Sequence, residues 1–157
     1  MVSDTMALLS PERILFVQEL ESKKRVFDTL SDLLANKHSQ LAKDDIFDYL
    51  IAREKLGSTS LGGGIALPRA RVPIREPYAA LLLLSEGMDL DTPDKQPVTI
   101  FMALMLPETN PERYSDMITD LIKAFSTRPV AEELAETTEP EIAVNYMETL
   151  LQHTRST

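Results

Sequence analysis

Apolar positions along the chain recur at two periods, and the change from one period to the other predicts the elements. Ser10-Pro11-Glu12 opens a helical turn, and Ile14-Leu15-Phe16-Val17 follows as a short β-branched and aromatic strand. From Ser22 the spacing becomes helical. Val26, Phe27, Leu30, Leu33 and Leu34 make one stripe, and a second helix over 44–55 carries Ile46, Phe47, Leu50 and Ile51. Ile65-Ala66-Leu67 is a short strand that stops at Pro68. Residues 79–84 and 98–106 are near-continuous apolar runs that do not alternate, which predicts strands covered on both faces, and Pro107 ends the second. Asn110 is expected to cap a helix with Pro111 in its first position. Tyr114, Met117, Ile118, Leu121, Ile122 and Phe125 form the cleanest amphipathic stripe in the chain. A short helix is expected from Pro129 to Leu134. A last helix over 139–151 is expected to bury Ile142, Tyr146, Met147, Leu150 and Leu151, with a frayed tail over 152–157. There is no internal repeat and no low-complexity linker. The pattern predicts an α/β chain: a three-layer sandwich, with a mixed β-sheet between helices, in one domain over 1–157 with its core at about 8–151.

Composition narrows the chemistry. The chain has 157 residues, enough for one sizeable core. Asp and Glu number 25 against 16 Lys and Arg, a net charge of −9 with a pI near 4.7. A surface of that sign disfavours broad nucleic-acid binding and suits a basic protein partner. Cysteine is absent, so disulfides, thiol nucleophiles and cysteine zinc sites are excluded. His38 and His153 are the two histidines, too far apart in sequence for a short-spaced metal motif. No apolar run reaches the roughly 18–20 residues that span a bilayer. Met1-Val2-Ser3-Asp4-Thr5 lacks a basic start followed by an apolar stretch, so the expected compartment is the cytoplasm. Met102, Met105, Met117 and Met147 sit in core patterns, whereas Met88 is a candidate for the border of a partner surface. Asp89, Asp91 and Asp94 lack calcium-loop spacing. Glu132, Glu133, Glu136, Glu139 and Glu141 form an acidic edge. No cofactor and no metal are expected.

The strongest local anomaly is Gly57-Ser58-Thr59-Ser60-Leu61-Gly62-Gly63-Gly64, which holds four of the five glycines. It is not a Walker loop: Gly57 and Gly62 are spaced correctly, but Gly63-Gly64 replace the required Lys and Ser/Thr. It is not a dinucleotide fingerprint either, since Leu67 replaces the third glycine and a strand follows where a helix should.

The longer segment Arg53-Glu54-Lys55-Leu56-Gly57-Ser58-Thr59-Ser60-Leu61-Gly62-Gly63-Gly64-Ile65-Ala66-Leu67-Pro68 resembles the signature of the enzyme IIA domain of the bacterial phosphotransferase system. The similarity is to the fructose/mannitol type, which includes the nitrogen-regulatory proteins. Their motif reads Arg-Glu-x-x-Gly-Ser-Thr-x-x-Gly-x-Gly-Ile-Ala-x-Pro-His. Asp94-Lys95-Gln96-Pro97-Val98 resembles the family's Asp-x-Gln-Pro-Val before a long apolar strand. The resemblance spans about 8–151 and implies the enzyme IIA fold.

The position that the family fills with the phosphorylated histidine is Arg69 here, and an ungapped alignment of 114–126 puts Asp116 at the family's second histidine, with Ser115 one residue away. Phosphorelay needs a neutral imidazole nitrogen as nucleophile, whereas a guanidinium stays protonated and offers no lone pair. The chain is therefore expected to be a non-phosphorylatable regulatory module rather than an enzyme, with no catalytic residue. It would act on the histidine-containing phosphocarrier protein or on a regulated transporter or kinase. A weak homodimer is a further option; nucleic acid and membrane insertion are not expected. Two alternatives are an active phosphocarrier with its acceptor at Ser58, Thr59, Ser115 or Asp116, and a small-anion-binding domain.

Anion or partner contacts are expected from Arg53, Ser58, Thr59, Gly62, Gly64, Arg69 and Asp116. Each has a plainer reading. Arg53 taken alone is a solvated charge on a helix, and Ser58 and Thr59 are as readily turn-capping hydroxyls. Gly62, Gly63 and Gly64 shape the backbone, though their amides are also a candidate anion nest. Asp116 by itself lies on a polar helix face. Paired with Arg69, it would form a salt bridge that fills and neutralises the pocket.

Overall fold

The computed structural model describes residues 8–35 and 40–155, the last three by their backbone alone. His38, the side chain of His153 and the N-terminal pentapeptide lie outside the described residues. A 3-10 turn at Pro11–Arg13 leads into strand β1 (Ile14–Val17) and helix α1 (Lys23–Leu34). Ser22 caps α1, its hydroxyl accepting from the Arg25 amide at 3.1 Å. Then come α2 (Lys43–Leu56), β2 (Ser60–Gly62), β3 (Ile65–Ala66), β4 (Arg69–Val72), β5 (Tyr78–Met88), β6 (Val98–Pro107), α3 (Pro111–Ser126), α4 (Val130–Glu133) and α5 (Pro140–Arg155).

The strands form one mixed sheet in the order β1-β5-β6-β3-β2, with β4 also paired to β6. β1 runs parallel to β5, β5 antiparallel to β6, and β3 and β4 parallel to β6. The two apolar runs are therefore adjacent, and the side-chain period of two sends their residues to opposite faces. Leu81, Leu83, Ile100, Met102 and Leu104 pack on one side with Tyr114, Met117, Leu121 and Phe125 of α3 and Met147, Leu150 and Leu151 of α5. Leu82, Leu84, Phe101, Ala103 and Met105 pack on the other with Val26, Phe27, Leu30 and Leu34 of α1 and Ile46 and Leu50 of α2. This is the expected three-layer sandwich, and its doubly covered strands explain why the runs do not alternate.

The structure departs from the sequence reading in six places. Ser60–Gly62, read as loop, is strand β2, hairpin-paired to β3 with an irregularity between Ser60 and Gly62. The strand that stops at Pro68 resumes at once as β4. Proline donates no ladder hydrogen bond, but its carbonyl accepts from the Leu104 amide at 2.8 Å, so the chain stays on β6 across the break. Asn110 stands in the cap position in a left-handed conformation (φ 51°), which takes its side chain away from cap geometry, and it makes no capping bond. Ile142 is 50% exposed. The buried stripe of α5 is Ala143, Val144, Met147, Leu150 and Leu151, one position round the helix. Finally, α5 extends to Arg155, through part of the expected tail, and Ile122 in α3 is 38% exposed.

Candidate functional site

Two parts of the chain, about thirty residues apart in sequence, build one corner of the molecule. Gly62, Gly63 and Gly64 turn β2 into β3 with φ of 89°, 64° and 81°. The Asp94 carboxylate closes this turn. Its Oδ2 accepts from the Gly63 amide at 2.8 Å, and its Oδ1 accepts from the Gln96 amide at 3.1 Å. The Gly63 and Gln96 amides hold the Asp94 carboxyl below the ordinary carboxylate range. The glycine-rich segment and the Asp94-Lys95-Gln96-Pro97-Val98 segment are thus one structural unit. The anion nest expected of the glycine amides already holds an anion, the chain's own Asp94. Gly64 serves close packing, since a Cβ there would lie 3.0 Å from the Ala131 Cβ of α4.

The turn after α2 is organised by a residue that the sequence reading did not single out. The Glu54 side chain is largely buried and accepts from the Thr59 hydroxyl at 2.6 Å, while Lys23 Nζ of α1 lies 2.7 Å away. Thr59 is 3% exposed, so its hydroxyl is committed to the turn. Ser58 Oγ donates to the Asp91 carbonyl at 3.2 Å and accepts from the Ser60 amide at 3.2 Å, a turn-capping arrangement. Arg53 Nη1 donates to the Gly57 carbonyl at 2.9 Å, which satisfies a terminal carbonyl of α2.

Arg69 opens β4 directly after Pro68, and Arg71 lies on the same face two residues on. Arg69 is half-buried and its Nη1 donates to the Leu67 carbonyl at 3.2 Å. Burial is the main cause that lowers its pKa, followed by the positive charge of Arg53; Glu54 opposes and Arg71 reinforces. Arg53 and Arg69, expected together, are therefore within electrostatic reach of one another, and Arg71 joins them. Asp116 does not. It is exposed on α3, and no ion pair joins it to Arg69 among the described residues. The expected bridge is replaced by another contact across the same gap, Arg71 Nη2 donating to Ser115 Oγ at 2.8 Å. Asp116 and Ser115 are adjacent on a helix, so their side chains diverge by about 100°, and the strand faces only one of them. Arg71 could have been found by its i, i+2 relation to Arg69. Glu54 offered no such signal beyond its place in the motif.

Two clefts of about 420 and 480 Å³ flank the glycine turn. The first is lined chiefly by Phe16, Leu83, Pro97, Ile100 and Leu134, the second by Leu61, Ile122, Phe125 and Arg128.

The mixed sheet between two helical layers is the fold of solved enzyme IIA structures. The family model "Phosphoenolpyruvate-dependent sugar phosphotransferase system, EIIA 2" matches residues 7–149. A nitrogen regulatory protein homolog of Haemophilus influenzae is 35% identical over 135 residues, covering 81% of this chain and 80% of that protein. The crystal structure of nitrogen regulatory protein IIA-Ntr from Neisseria meningitidis superposes with a TM-score of 0.80 at 31% identity, over 92% of this chain and 96% of that one. Enzyme IIA mannitol of Escherichia coli, solved in complex with phosphorylated enzyme IIB mannitol, shares the fold at a TM-score of 0.71 and 21% identity, over 92% and 97%. The chain belongs to the phosphotransferase-system EIIA type-2 family, in its nitrogen-regulatory branch.

Proposed function

We propose that this chain is a nitrogen-regulatory IIA module that signals through protein contact and carries no covalent phosphoryl group. The observation that carries this reading is Arg69, half-buried on β4 at the position where the family motif calls for histidine. Burial and its two basic neighbours lower its pKa, but from so high a starting value that the guanidinium stays protonated at neutral pH. A protonated guanidinium has no lone pair with which to attack phosphorus. Asp116, at the expected second-histidine position, is a carboxylate facing solvent. Of the alternative acceptors, Thr59 is buried and bonded to Glu54, and Ser58 and Ser115 are hydrogen-bonded within the fold. A basic protein partner fits the net charge of −9. The complex of enzyme IIA mannitol with its IIB supports a protein partner for this fold.

Incubation of the full chain with phosphoenolpyruvate, enzyme I and the histidine-containing phosphocarrier, read by intact mass, tests the reading. No phosphoryl gain is expected for the wild type, and a stoichiometric gain of one phosphoryl group overturns the proposal. In the same assay Arg69→His is expected to gain an acceptor.

A further inference from the structure

The sheet face beneath α3 and α5 is left open at one end. Phe16 of β1 stands beside Leu83 of β5, and Leu83 beside Ile100 of β6, so one row of side chains crosses three strands. Leu83 and Ile100 belong to the core under α3 and α5, and Phe16 packs against it. The segment that joins α3 to α5 holds the single turn of α4, too short to cover this row. Ala131, Leu134 and Pro97 wall the space, and a cleft of about 420 Å³ remains. Gly87 lets Pro97 pack onto β5, since a Cβ there would lie 2.6 Å from the Pro97 Cβ.

The lining of this cleft carries one charge. Glu132 is exposed and makes no ion pair among the described residues. Glu136 and Glu139, close behind it in the chain, are also exposed and in no ion pair among the described residues. No lysine or arginine lines the cleft, and the neighbouring Arg128 is spent on Glu133. An apolar floor gains by being covered, and a rim of unneutralised carboxylates selects a cationic cover.

We propose that this cleft is a docking site for a protein partner that presents an apolar side chain flanked by lysine or arginine. The proposal rests on the preceding reading only in that the partner is a protein. The cleft is set apart from Arg69. Its Ile100 and the Leu104 that pairs with Arg69 are four residues apart on β6, roughly 13 Å along the strand. The net charge of −9 speeds the encounter with a basic partner, and the apolar floor selects which basic surface stays.

Amide NMR titration of the full chain tests this, with a short capped peptide that alternates lysine with leucine or phenylalanine as the probe. Saturable shifts are expected at the amides of Leu83, Ser85, Thr99, Ala131 and Thr137, with a dissociation constant at or below about 1 mM. A peptide with serine in place of the apolar residues, and one with glutamate in place of lysine, are each expected to bind at least about tenfold more weakly. Glu132→Lys is expected to weaken the probe about three- to tenfold, because a rim attraction is lost and a repulsion replaces it. Phe16→Ala is expected to weaken it at least about fivefold. Glu112→Lys, in the first turn of α3 and roughly 20 Å from the cleft end of that helix, is expected to change nothing. Circular dichroism checks that each variant folds; if Phe16→Ala does not, the serine peptide decides the apolar part. The proposal is overturned if no saturation is seen by about 10 mM, if the serine or glutamate peptide binds as tightly, or if Glu132→Lys binds as the wild type does. It is also overturned if the same amides shift with protein concentration alone, which assigns the cleft to a second copy of the chain. A phosphoryl gain in the mass assay would topple the preceding reading and leave the cleft untouched, so the two failures are distinct.

Discussion

At the scale of single residues, charge and backbone conformation decide most of the site. Arg69 carries a guanidinium, a group of very high pKa that at neutral pH offers no lone pair to a nucleophilic step. Asp94 shows the reverse economy, one carboxylate satisfying two amides of neighbouring segments. Gly63 and Gly64 separate two reasons for glycine. Both have positive φ, but a Cβ on Gly63 meets nothing within 4 Å, whereas one on Gly64 meets α4. Gly63→Ala is expected to cost about 1–2 kcal/mol, the left-handed penalty alone. Gly64→Ala is expected to cost more, because Ala131 must also move. Urea unfolding of both variants checks the order, and equal costs would contradict the close packing at α4.

At the scale of elements, long periodic segments were legible and interrupted ones were not. The stripes of α1 and α3 were readable because each helix offers one face to the sheet. β2 and β4 were not readable. A three-residue strand carries too little periodicity, and a proline that ends most strands here only interrupts one. The join between α4 and α5 was also invisible, since it depends on side chains thirteen residues apart. Glu133 accepts from both Arg128, whose Nε lies at 2.7 Å, and the Tyr146 hydroxyl. Arg128 first, then Tyr146, hold the Glu133 carboxyl down at about 2, against an ordinary value of 4.5. A depressed folded-state pKa adds stability that is present above the ordinary value and lost as pH falls through the folded one. The urea midpoint of the wild type is therefore expected to fall between pH 4.5 and about 2 more steeply than that of Glu133→Gln. The difference should shrink in high salt, because the group is exposed. Parallel acid limbs in the two proteins would dismiss the contact.

At the scale of the whole molecule, stability lies in the two apolar layers on either side of β5 and β6. Leu82 is fully buried between the sheet and α1–α2, and Leu56 at the end of α2 is 84% exposed. Leu82→Ala is expected to cost about 2–5 kcal/mol, and Leu56→Ala no more than about 0.5 kcal/mol, both measured by chemical denaturation. A large loss at Leu56 would mean that this residue is covered in solution. No helix among the described residues is long and apolar enough to cross a membrane, in keeping with a fold whose apolar surface is spent inside.

The long helices and strands and the doubly covered character of the central pair were written in the chain itself, because each depends on residues near one another in sequence. Tertiary structure alone decided that Asp94 fills the glycine turn, that Arg71 rather than Arg69 reaches α3, that Ser115 rather than Asp116 receives it, and that Glu54 anchors Thr59 and Lys23. Those choices depend on which side of a helix meets which strand face. A rotation of about 100° per residue sets that meeting, and the packing of the two cores fixes it.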